Sequence, residues 1–239
     1  MNRFTSIYIF GSRCAYNLST SFLFCRWRPK THNFHLPCGE MTITLQDTQK
    51  FLGVRISGRP VIGPCTAAGW RGRVEAFLGR QLPPETPGAH SSRVLISWLR
   101  QNFGQSLDHA DEKTVTYHCR AWIMHLFCYV MFPNGTGDTV SWMYLPCLTD
   151  WDTAGGYSWG SAVLGYLYRQ LCEACRRSSA NSSLGGCVYL LQVWMWSRLP
   201  VGRPQVGDPR PWFEVHGLRC RPMYAYLWDQ VKGPFAWSK

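Results

Sequence analysis

The amino-acid sequence predicts a mainly α-helical fold: a single compact domain of six to eight helices with at most a small β-hairpin or sheet. Apolar residues recur every three or four positions in several stretches, which is the spacing of one helix face. Segments rich in proline and glycine separate these stretches. Hydrophobic residues make up 46% of the 239-residue chain, with 12 Trp, 11 Tyr and 12 Phe. A chain of this length and composition can bury a large core without disulfide bonds.

The beginning of the chain differs from the rest. Residues 1–25 lack a regular apolar period, so we expect a poorly packed N-terminal extension there. The predicted domain covers residues 26–239. Its first segment, RWRPKTHNFHLPCGE, contains two prolines and is expected to be extended.

A short helix is expected next. Thr44 is suited to cap its N-terminus, Asp47 stands three residues later as in a capping box, and Gly53 suits its C-terminal turn. The residues expected on its inner face are Leu45, Thr48 and Leu52. The following segment, VRISGRPVIGP, has Gly58 and Pro60 as turn residues and predicts a short strand or hairpin.

Three amphipathic helices follow. The first covers residues 67–78, the second begins at Ser91 or Ser92 and ends at Gly104, and the third covers residues 111–131. The positions of the third helix that are predicted to face the core are Val115, Cys119, Trp122, Ile123, Leu126 and Val130.

Two further helices are predicted in the second half of the chain. Residues 157–177 carry an apolar stripe at helical spacing, formed by Val163, Leu167, Leu171 and Ala174. Residues 186–200 are apolar nearly all round, which indicates a central core helix with Leu190, Leu191 and Trp194 buried. No apolar run approaches the roughly 20 residues that span a bilayer, so we expect no membrane partner.

The charge and the cysteines narrow the function only slightly. The formal net charge is +11, which can attract nucleic acid, acidic protein surfaces or anionic lipid. The arginines are scattered instead of forming a basic tail, and a solvated surface explains most of them. The 11 cysteines are odd in number and irregular in spacing, so we expect mostly reduced thiols.

Several segments form a recognisable series, namely WRPKTHNFHLPCGEMT, LGVRISGRPV, SRVLISWLRQNF, YLPCLTDWDTAGGYSWGSAVLGYLYRQLC, GGCVYLLQVWMWSRLPVGRP and YLWDQVKGPF. In order and spacing they resemble the motifs of the plant mobile domain, a family also labelled aminotransferase-like, which includes proteins similar to MAINTENANCE OF MERISTEMS. The resemblance covers about residues 26–239. The motif residues, which we expect to be structural, are Trp27, Pro29, His32, Phe34, His35, Pro37, Gly39, Glu40, Tyr157, Ser158, Trp159, Gly160, Trp194, Pro200, Gly202, Arg203, Pro204, Trp228 and Asp229.

The resemblance implies a nuclear, transposon-derived domain whose relatives act in transposon silencing, genome integrity and meristem maintenance. It implies no established catalytic residue, and we expect no small-molecule substrate. We therefore expect a non-catalytic protein-binding scaffold, with a protein phosphatase 7-like protein as its partner by resemblance. The alternative is a DNA-binding domain of a transposon-encoded protein.

The sequence also departs from the family pattern. Lys30 stands where relatives usually have an acidic residue, and residues 1–25 do not resemble the usual lead-in. The chain ends at Lys239, where relatives continue. We therefore expect the domain to be incomplete at its C-terminal end.

A serine hydrolase is a third hypothesis, and we disfavour it. Residues 156–160 match the nucleophile-elbow pattern around Ser158, and Asp208 and His216 follow in the order of the α/β-hydrolases. An elbow requires a strand before the serine, and the sequence before Ser158 is a poor strand. Ser158 is better explained as the residue that opens a helix.

A zinc site is a further candidate. His32, His35 and Cys38 are spaced as H-x2-H-x2-C, and Cys172 with Cys175 could supply two more ligands. Neither group has a paired-knuckle spacing, and cysteines also pack well as small apolar residues. We expect no stoichiometric metal.

Aminotransferase chemistry would need a lysine that forms a Schiff base with its cofactor. None of the five lysines, which are Lys30, Lys50, Lys113, Lys232 and Lys239, has a convincing setting for that role. No phosphate-binding glycine loop is present either. The sequence therefore predicts no cofactor.

Overall fold

The N-terminal part of the domain is a small antiparallel sheet. The structure is a computed structural model, and it describes residues 25–64, 66–84, 92–105, 110–176 and 184–199, together with the backbone of 213–215 and 218–220. Strands β1 (Trp27–Arg28), β2 (Asn33–Leu36) and β3 (Gly39–Met41) pair in the order β1-β2-β3. Trp27 and Phe34 are cross-strand partners and both are buried. The extended conformation expected for residues 26–40 is confirmed for the three strands, but residues 29–32 and 37–38 form turns instead.

Helix α1 (Leu45–Leu52) begins and ends where the sequence predicts. The Thr44 hydroxyl accepts a hydrogen bond from the Asp47 amide, and the Asp47 carboxylate accepts one from the Thr44 amide, which completes a capping box. Gly53 ends the helix with a φ of 67°. The prediction for Leu45 is wrong: it is 36% exposed, and Asp47 lies inside with Thr48.

The Asp47 carboxylate is buried because it has charged and polar partners. Its side chain is 4% exposed and lies 2.6 Å from the Arg198 guanidinium, at the end of the last described α-helix. Burial by itself would raise the pKa of Asp47, but hydrogen bonds from Arg198 and Thr44 hold that pKa below its ordinary value. The ion pair therefore joins α1 to a helix about 150 positions later in the chain.

This ion pair predicts a pH-dependent stability difference. Because the folded pKa of Asp47 is lowered, its contribution is complete above the unfolded pKa of about 3.9 and is lost as the pH falls through the folded value. We expect Asp47→Asn to lower the free energy of unfolding by about 1–3 kcal/mol at neutral pH. Urea unfolding of both proteins from pH 7 down to the acid limit of folding should show this difference shrinking below about pH 4.

The control is the exposed pair Arg169–Glu173, whose arginine side chain is 74% exposed. Arg169→Gln should change stability by less than about 1 kcal/mol. A difference between Asp47→Asn and the parent protein that stays constant across the acid range would contradict the ion-pair explanation.

The segments around α2 (Trp70–Leu78) and α3 (Ile96–Phe103) correct two predictions. Residues 54–64 form no strand or hairpin and make only one isolated β-bridge, between Arg59 and Tyr157. The helix expected from Ser91 or Ser92 begins at Ile96 instead. Strand β4 (Arg93–Leu95) precedes it and pairs antiparallel with β5 (Thr139–Ser141). Val94 and Val140 are buried opposite each other, and such β-branched pairs stabilise strands.

Helix α4 (Glu112–Leu126) continues into a π-helical turn over Phe127–Met131, so the predicted length of 111–131 is confirmed. Its predicted inner face is partly wrong. Val115, Cys119 and Trp122 are exposed, while Ile123, Leu126 and Val130 are only partly buried. The helix instead turns Ala121, Met124, His125, Phe127, Cys128 and Met131 inward.

The remaining elements lie between Trp142 and Cys220. A 3-10 helix (Trp142–Leu148) and the short α5 (Trp151–Gly155) were not predicted as helices. Helix α6 (Trp159–Arg176) confirms the prediction for 157–177, and α7 (Val188–Arg198) confirms the core helix. The side chains predicted to be buried in α7 are at most 1% exposed: Leu190, Leu191 and Trp194. Strands β6 (Phe213–Val215) and β7 (Leu218–Cys220) form a hairpin.

The described part is mainly α-helical, as the sequence predicts. Its strands belong to three small sheets, where we expected one hairpin or sheet at most. Most of the buried apolar residues of the described ranges belong to one cluster that runs from Trp27 to Trp196. No described helix is long and apolar enough to cross a membrane.

Candidate functional site

Two of the motif segments dock on each other. Residues 54–59 lie across the junction between α5 and α6, which we call the motif junction. The Arg59 amide donates to the Gly156 carbonyl at 3.0 Å, and the Ser158 amide donates back to the Arg59 carbonyl at 2.8 Å. The Gly160 amide donates to the Arg55 carbonyl at 2.7 Å. Backbone hydrogen bonds therefore hold together segments about 100 residues apart.

The motif junction leaves no room for a side chain at Gly160. A Cβ atom there would lie 2.7 Å from Cγ2 of Ile56 and 3.1 Å from the Arg55 carbonyl oxygen. The Ser161 hydroxyl also donates to the Ile56 carbonyl at 3.2 Å. Trp159 completes the junction, because its indole N–H donates to the Ala154 carbonyl at 2.9 Å.

This geometry predicts opposite effects for two glycines of α6. Gly160→Ala should lower the free energy of unfolding by about 1–3 kcal/mol, because the new methyl group displaces residues 54–56. Gly165→Ala should raise it by up to about 1 kcal/mol, because alanine is the better helix former and nothing lies within 4 Å of that position. Urea unfolding measures both. Losses of equal size would contradict the assigned role of Gly160.

Ser158 has the surroundings of a structural residue. It is 6% exposed, and its hydroxyl lies 2.7 Å from the Ser161 hydroxyl. The residues before it form α5 and a single β-bridge instead of the strand that a nucleophile elbow needs. It directly precedes α6, as the helix-opening interpretation expects. Asp208 and His216 lie outside the described residues.

The N-terminal motif residues form an aromatic cluster against α6 and α7. The Trp27 ring lies 4.8 Å from the Phe34 ring and 5.1 Å from the Tyr168 ring, measured between centroids. The Phe34 ring lies 5.5 Å from Trp194. The Trp27 indole N–H also donates to Sγ of Cys172 at 3.3 Å. These contacts attach the small sheet to the helical core.

His32 closes the turn between β1 and β2. It has a φ of 52°, and its ring stacks on Tyr168 with the centroids 5.5 Å apart. The Thr42 hydroxyl donates to the His32 carbonyl at 2.7 Å, and the Tyr168 hydroxyl donates to the Ile43 carbonyl at 2.5 Å. The side chain and the backbone of His32 are therefore both fixed by α6 and by the segment after β3.

The other candidate zinc ligands have separate partners. Nε2 of His35 lies 2.8 Å from the Glu40 carboxylate, and Sγ of Cys38 lies 3.9 Å from Sδ of Met41. The Cys175 thiol donates to the Trp27 carbonyl at 3.8 Å. Within the described ranges, no three His, Cys, Asp or Glu side chains are grouped as a metal site would need.

We expect metal analysis of the purified protein to find no stoichiometric zinc, because these partners explain the side chains without an ion. The measurement is elemental analysis after dialysis against metal-free buffer. One zinc per chain that disappears on replacing His35 or Cys38 would contradict this prediction.

The remaining motif residues are of two kinds. Pro29, Pro37, Gly39 and Glu40 lie in or beside the turns of the N-terminal sheet, where Gly39 has a φ of 119° that favours glycine. The others lie outside the described residues: Pro200, Gly202, Arg203, Pro204, Trp228 and Asp229.

The three described lysines lie at the protein surface. Lys30, Lys50 and Lys113 are all exposed. Lys50 and Lys113 lie over the rings of Phe51 and Tyr117, at 5.8 and 5.9 Å from the centroids. Lys232 and Lys239 lie outside the described residues.

Arg120 is a structural residue that sequence reasoning missed. Its guanidinium donates to the carbonyls of Phe77 at 3.0 Å, Leu148 at 2.9 Å and Thr149 at 2.8 Å. It thereby satisfies carbonyls at the ends of α2 and the 3-10 helix, while its charge lies over the Trp151 ring. Its position on an amphipathic helix predicts only an exposed arginine, so no sequence signal identifies these partners.

Comparison with known proteins agrees with the family resemblance of the sequence motifs. The family model described as "Plant mobile domain" matches residues 11–238. The chain is 42% identical over 179 residues to the Arabidopsis thaliana protein "Serine/threonine-protein phosphatase 7 long form homolog". The aligned region covers 75% of this chain and 13% of that relative. It is 40% identical to the Arabidopsis "Protein MAIN-LIKE 2", over 76% of this chain and 26% of the relative.

A third Arabidopsis relative, "Protein MAINTENANCE OF MERISTEMS", is 37% identical over 82% of this chain and 40% of its own length. The chain therefore spans less than half the length of each of these relatives. No solved structure matches it. The family match covers nearly the whole chain and includes every motif segment from which the resemblance was inferred, so the chain belongs to the plant mobile domain family.

Proposed function

We propose that this chain is a non-catalytic, nuclear protein-binding scaffold of transposon origin. Its cellular role would lie in transposon silencing, genome integrity and meristem maintenance, with a protein phosphatase 7-like protein as partner. The observation that carries the proposal is the use of the described motif residues in packing. Trp27, Phe34, Ser158 and Trp194 are each at most 6% exposed, and Gly160 is fixed against residues 54–56.

The surface supports binding to protein. Trp122 and Trp151 are 41% and 43% exposed, and tryptophan is among the residues that contribute most to protein interfaces. Arginine, the other abundant anchor type, stands at 20 positions of the chain. The excess positive charge would then mainly steer acidic partners toward the domain.

The arrangement of positive charge on the helices supports protein over DNA as the partner. The guanidinium of Arg71 lies over the Trp70 ring at 5.5 Å, and that of Arg73 lies over the Trp142 ring at 5.4 Å. Arg120 is engaged with three backbone carbonyls. A helix that reads DNA instead presents basic and amide side chains to the bases and phosphates.

The names of the relatives support the choice of partner. One relative is named as a phosphatase 7 long form homolog, and the matched region occupies only 13% of it. A domain of this family therefore occurs within a longer chain that carries a phosphatase name. We infer that the domain of this chain serves a protein of that kind.

DNA binding is the second candidate, and the net charge of +11 favours it. The two hypotheses differ in their response to salt. A protein that neutralises about six DNA phosphates loses on the order of 10³-fold in affinity between 50 and 200 mM salt. A protein interface built on aromatic side chains loses much less, because little of its free energy comes from released counterions.

The decisive experiment is affinity purification of the tagged chain from plant nuclei, with identification of the proteins recovered. We expect a phosphatase 7-like protein among them, and we expect weak binding of the purified chain to duplex DNA. Recovery from extract treated with nuclease excludes bridging by nucleic acid. Tight DNA binding with the steep salt dependence given above, together with no phosphatase among the partners, would establish the second candidate instead.

A further inference from the structure

Two cysteines of α6 contact the same residue of the N-terminal sheet. Cys172 and Cys175 stand three positions apart near the end of that helix, whose last residue is Arg176. The Trp27 indole N–H donates to Sγ of Cys172 at 3.3 Å, and the Cys175 thiol donates to the Trp27 carbonyl at 3.8 Å. Neither cysteine is in a disulfide bond. Both thiols therefore lie at the joint between β1 and α6.

Packing explains these two cysteines only in part. Cysteines that serve as small apolar residues are usually fully buried, as Cys128 and Cys187 are at 0% exposure. Cys175 is instead exposed, and Cys172 is half-buried. Within the described ranges, they are not grouped with a third His, Cys, Asp or Glu as a metal site would need. Their position leaves the pair accessible to small solutes.

The spacing of the two cysteines suits a disulfide bond. Residues three apart on a helix have Cα atoms about 5 Å apart, which lies within the range that disulfides span. Their Cβ atoms are about 5–6 Å apart, and a disulfide needs roughly 3.5–4.5 Å. The last turn of α6 must therefore rearrange when the bond closes. Cys175 lies in that turn, and helix ends open more easily than helix interiors.

A low-molecular-weight disulfide, such as oxidised glutathione, is the oxidant that fits this pair. The Cys175 thiol loses its proton to solvent, and the thiolate attacks one sulfur of the oxidant, which forms a mixed disulfide and releases one glutathione. The Cys172 thiolate then attacks the Cys175 sulfur and releases the second glutathione. The two cysteines lose two electrons and two protons, and one glutathione disulfide becomes two glutathiones.

Forming the disulfide removes both hydrogen bonds to Trp27. The Cys175 sulfur no longer carries a proton, so it cannot donate to the Trp27 carbonyl. The Cys172 sulfur has to turn toward Cys175, so the indole N–H loses its acceptor. Trp27 is 1% exposed, and a buried N–H without an acceptor costs free energy. Oxidation of the pair thus acts against the docking of the N-terminal sheet on α6.

We propose that Cys172 and Cys175 are a redox pair, which glutathione disulfide closes into a bond within α6 that loosens the N-terminal sheet. This inference is independent of the proposed scaffold function. The structure shows the reduced form.

The protonation of Cys175 sets the expected rate of this exchange. Burial raises the pKa of the Cys175 thiol, and the neighbouring Cys172 thiol raises it further. The thiolate is the attacking species, so oxidation should be slow at neutral pH and faster as the pH rises.

The first measurement is the redox equilibrium of the full chain in glutathione buffers. After equilibration without oxygen, free thiols are blocked with N-ethylmaleimide and tryptic peptides are identified by mass spectrometry. Cleavage after Arg169 and Arg176 gives the peptide QLCEACR, in which Cys172 and Cys175 are the only cysteines. We expect an internal disulfide in this peptide. Its amount should depend on the square of the reduced glutathione concentration divided by the oxidised concentration, whereas a mixed disulfide depends on the simple ratio.

Cys38 and Cys119 are the matched controls for this equilibrium. Both are exposed, and neither has another cysteine within four positions of the sequence. They should form only mixed disulfides with glutathione. The proposal is overturned if the peptide QLCEACR carries only mixed disulfides, if either of its cysteines is linked to the peptide that contains Cys25, or if it stays reduced in buffers that oxidise Cys38.

The second measurement is hydrogen exchange in strands β2 and β3 before and after oxidation. It uses a Cys38→Ser chain, so that glutathione cannot modify the turn between these strands. Loss of the bonds to Trp27 should raise the exchange rates of the sheet amides by about tenfold, while the amides of α3 stay unchanged. Adding Cys175→Ser should abolish the effect, because serine keeps a hydroxyl donor for the Trp27 carbonyl but forms no disulfide.

Cys172→Ala replaces Cys175→Ser in this comparison if the serine variant does not fold. Sheet amides that exchange equally fast in the reduced and oxidised Cys38→Ser chain would overturn the coupling to Trp27. The same holds if glutathione accelerates exchange to the same extent in the variant without Cys175.

Discussion

Replacing Trp27 by alanine is expected to lower the free energy of unfolding by about 3–5 kcal/mol. The side chain is 1% exposed and lies between the Phe34 and Tyr168 rings, so alanine would leave a cavity between the N-terminal sheet and α6. It would also remove the indole N–H that donates to Cys172. Equilibrium unfolding in urea, followed by far-UV circular dichroism, measures the loss.

The matched control for Trp27→Ala is Trp122→Ala. Trp122 is 41% exposed, and a substitution at such a site usually changes stability by about 0.5 kcal/mol or less. Trp27→Phe tests the same position if the alanine variant does not fold. It keeps an aromatic ring and should lose less than the alanine variant. Equal losses at Trp27 and Trp122 would contradict the central position of the Trp27 cluster.

The features predicted correctly from the sequence are those that local interactions determine. The capping box of Thr44 and Asp47 involves neighbouring residues, and Gly53 ends α1 through its own backbone conformation. Helices α6 and α7 have strong apolar patterns over many residues. In such segments the sequence contains most of the information that sets the beginning and the end of the helix. The single compact domain stays a prediction, because parts of the chain lie outside the described residues.

The face of α4 could not be chosen from periodicity alone. The sequence pattern showed a helix, but that helix is apolar on two sides. The core selected the side with Ala121 and Met124, because the neighbouring helices α2 and α3 pack there. The side with Trp122 has the larger residues, and the prediction wrongly placed it inward. Only the positions of other helices distinguish the two faces.

The contacts of the motif junction also could not be predicted from the sequence. The pattern around Ser158 has the glycine spacing of a nucleophile elbow, and residues 54–64 have the composition of a strand. Their real relation is a contact between segments distant in sequence, in which the Ser161 hydroxyl donates to the Ile56 carbonyl. The sequence indicated that both segments matter, but not that each is the binding surface of the other.

Gly58→Ala is expected to be among the most destabilising substitutions of a single glycine in this protein, with a loss of roughly 3–5 kcal/mol. Gly58 has a φ of 110°, which alanine adopts only with strain. A Cβ atom there would also lie 2.2 Å from the Gly156 carbonyl oxygen, which accepts the hydrogen bond from the Arg59 amide. Because the obstacle is backbone, no side-chain rotation can relieve it.

The control is Gly72→Ala on α2, where nothing lies within 4 Å of the added carbon, so a gain of up to about 1 kcal/mol is expected. Combining Gly58→Ala with Gly160→Ala tests whether both losses of stability come from the same contact. Both changes displace residues 54–59 from the α5–α6 junction, so the double variant should lose less than the sum of the single losses. Strictly additive losses would mean that the two glycines act independently. In that case the hydrogen bonds from the Arg59 and Gly160 amides would not form a single cooperative contact.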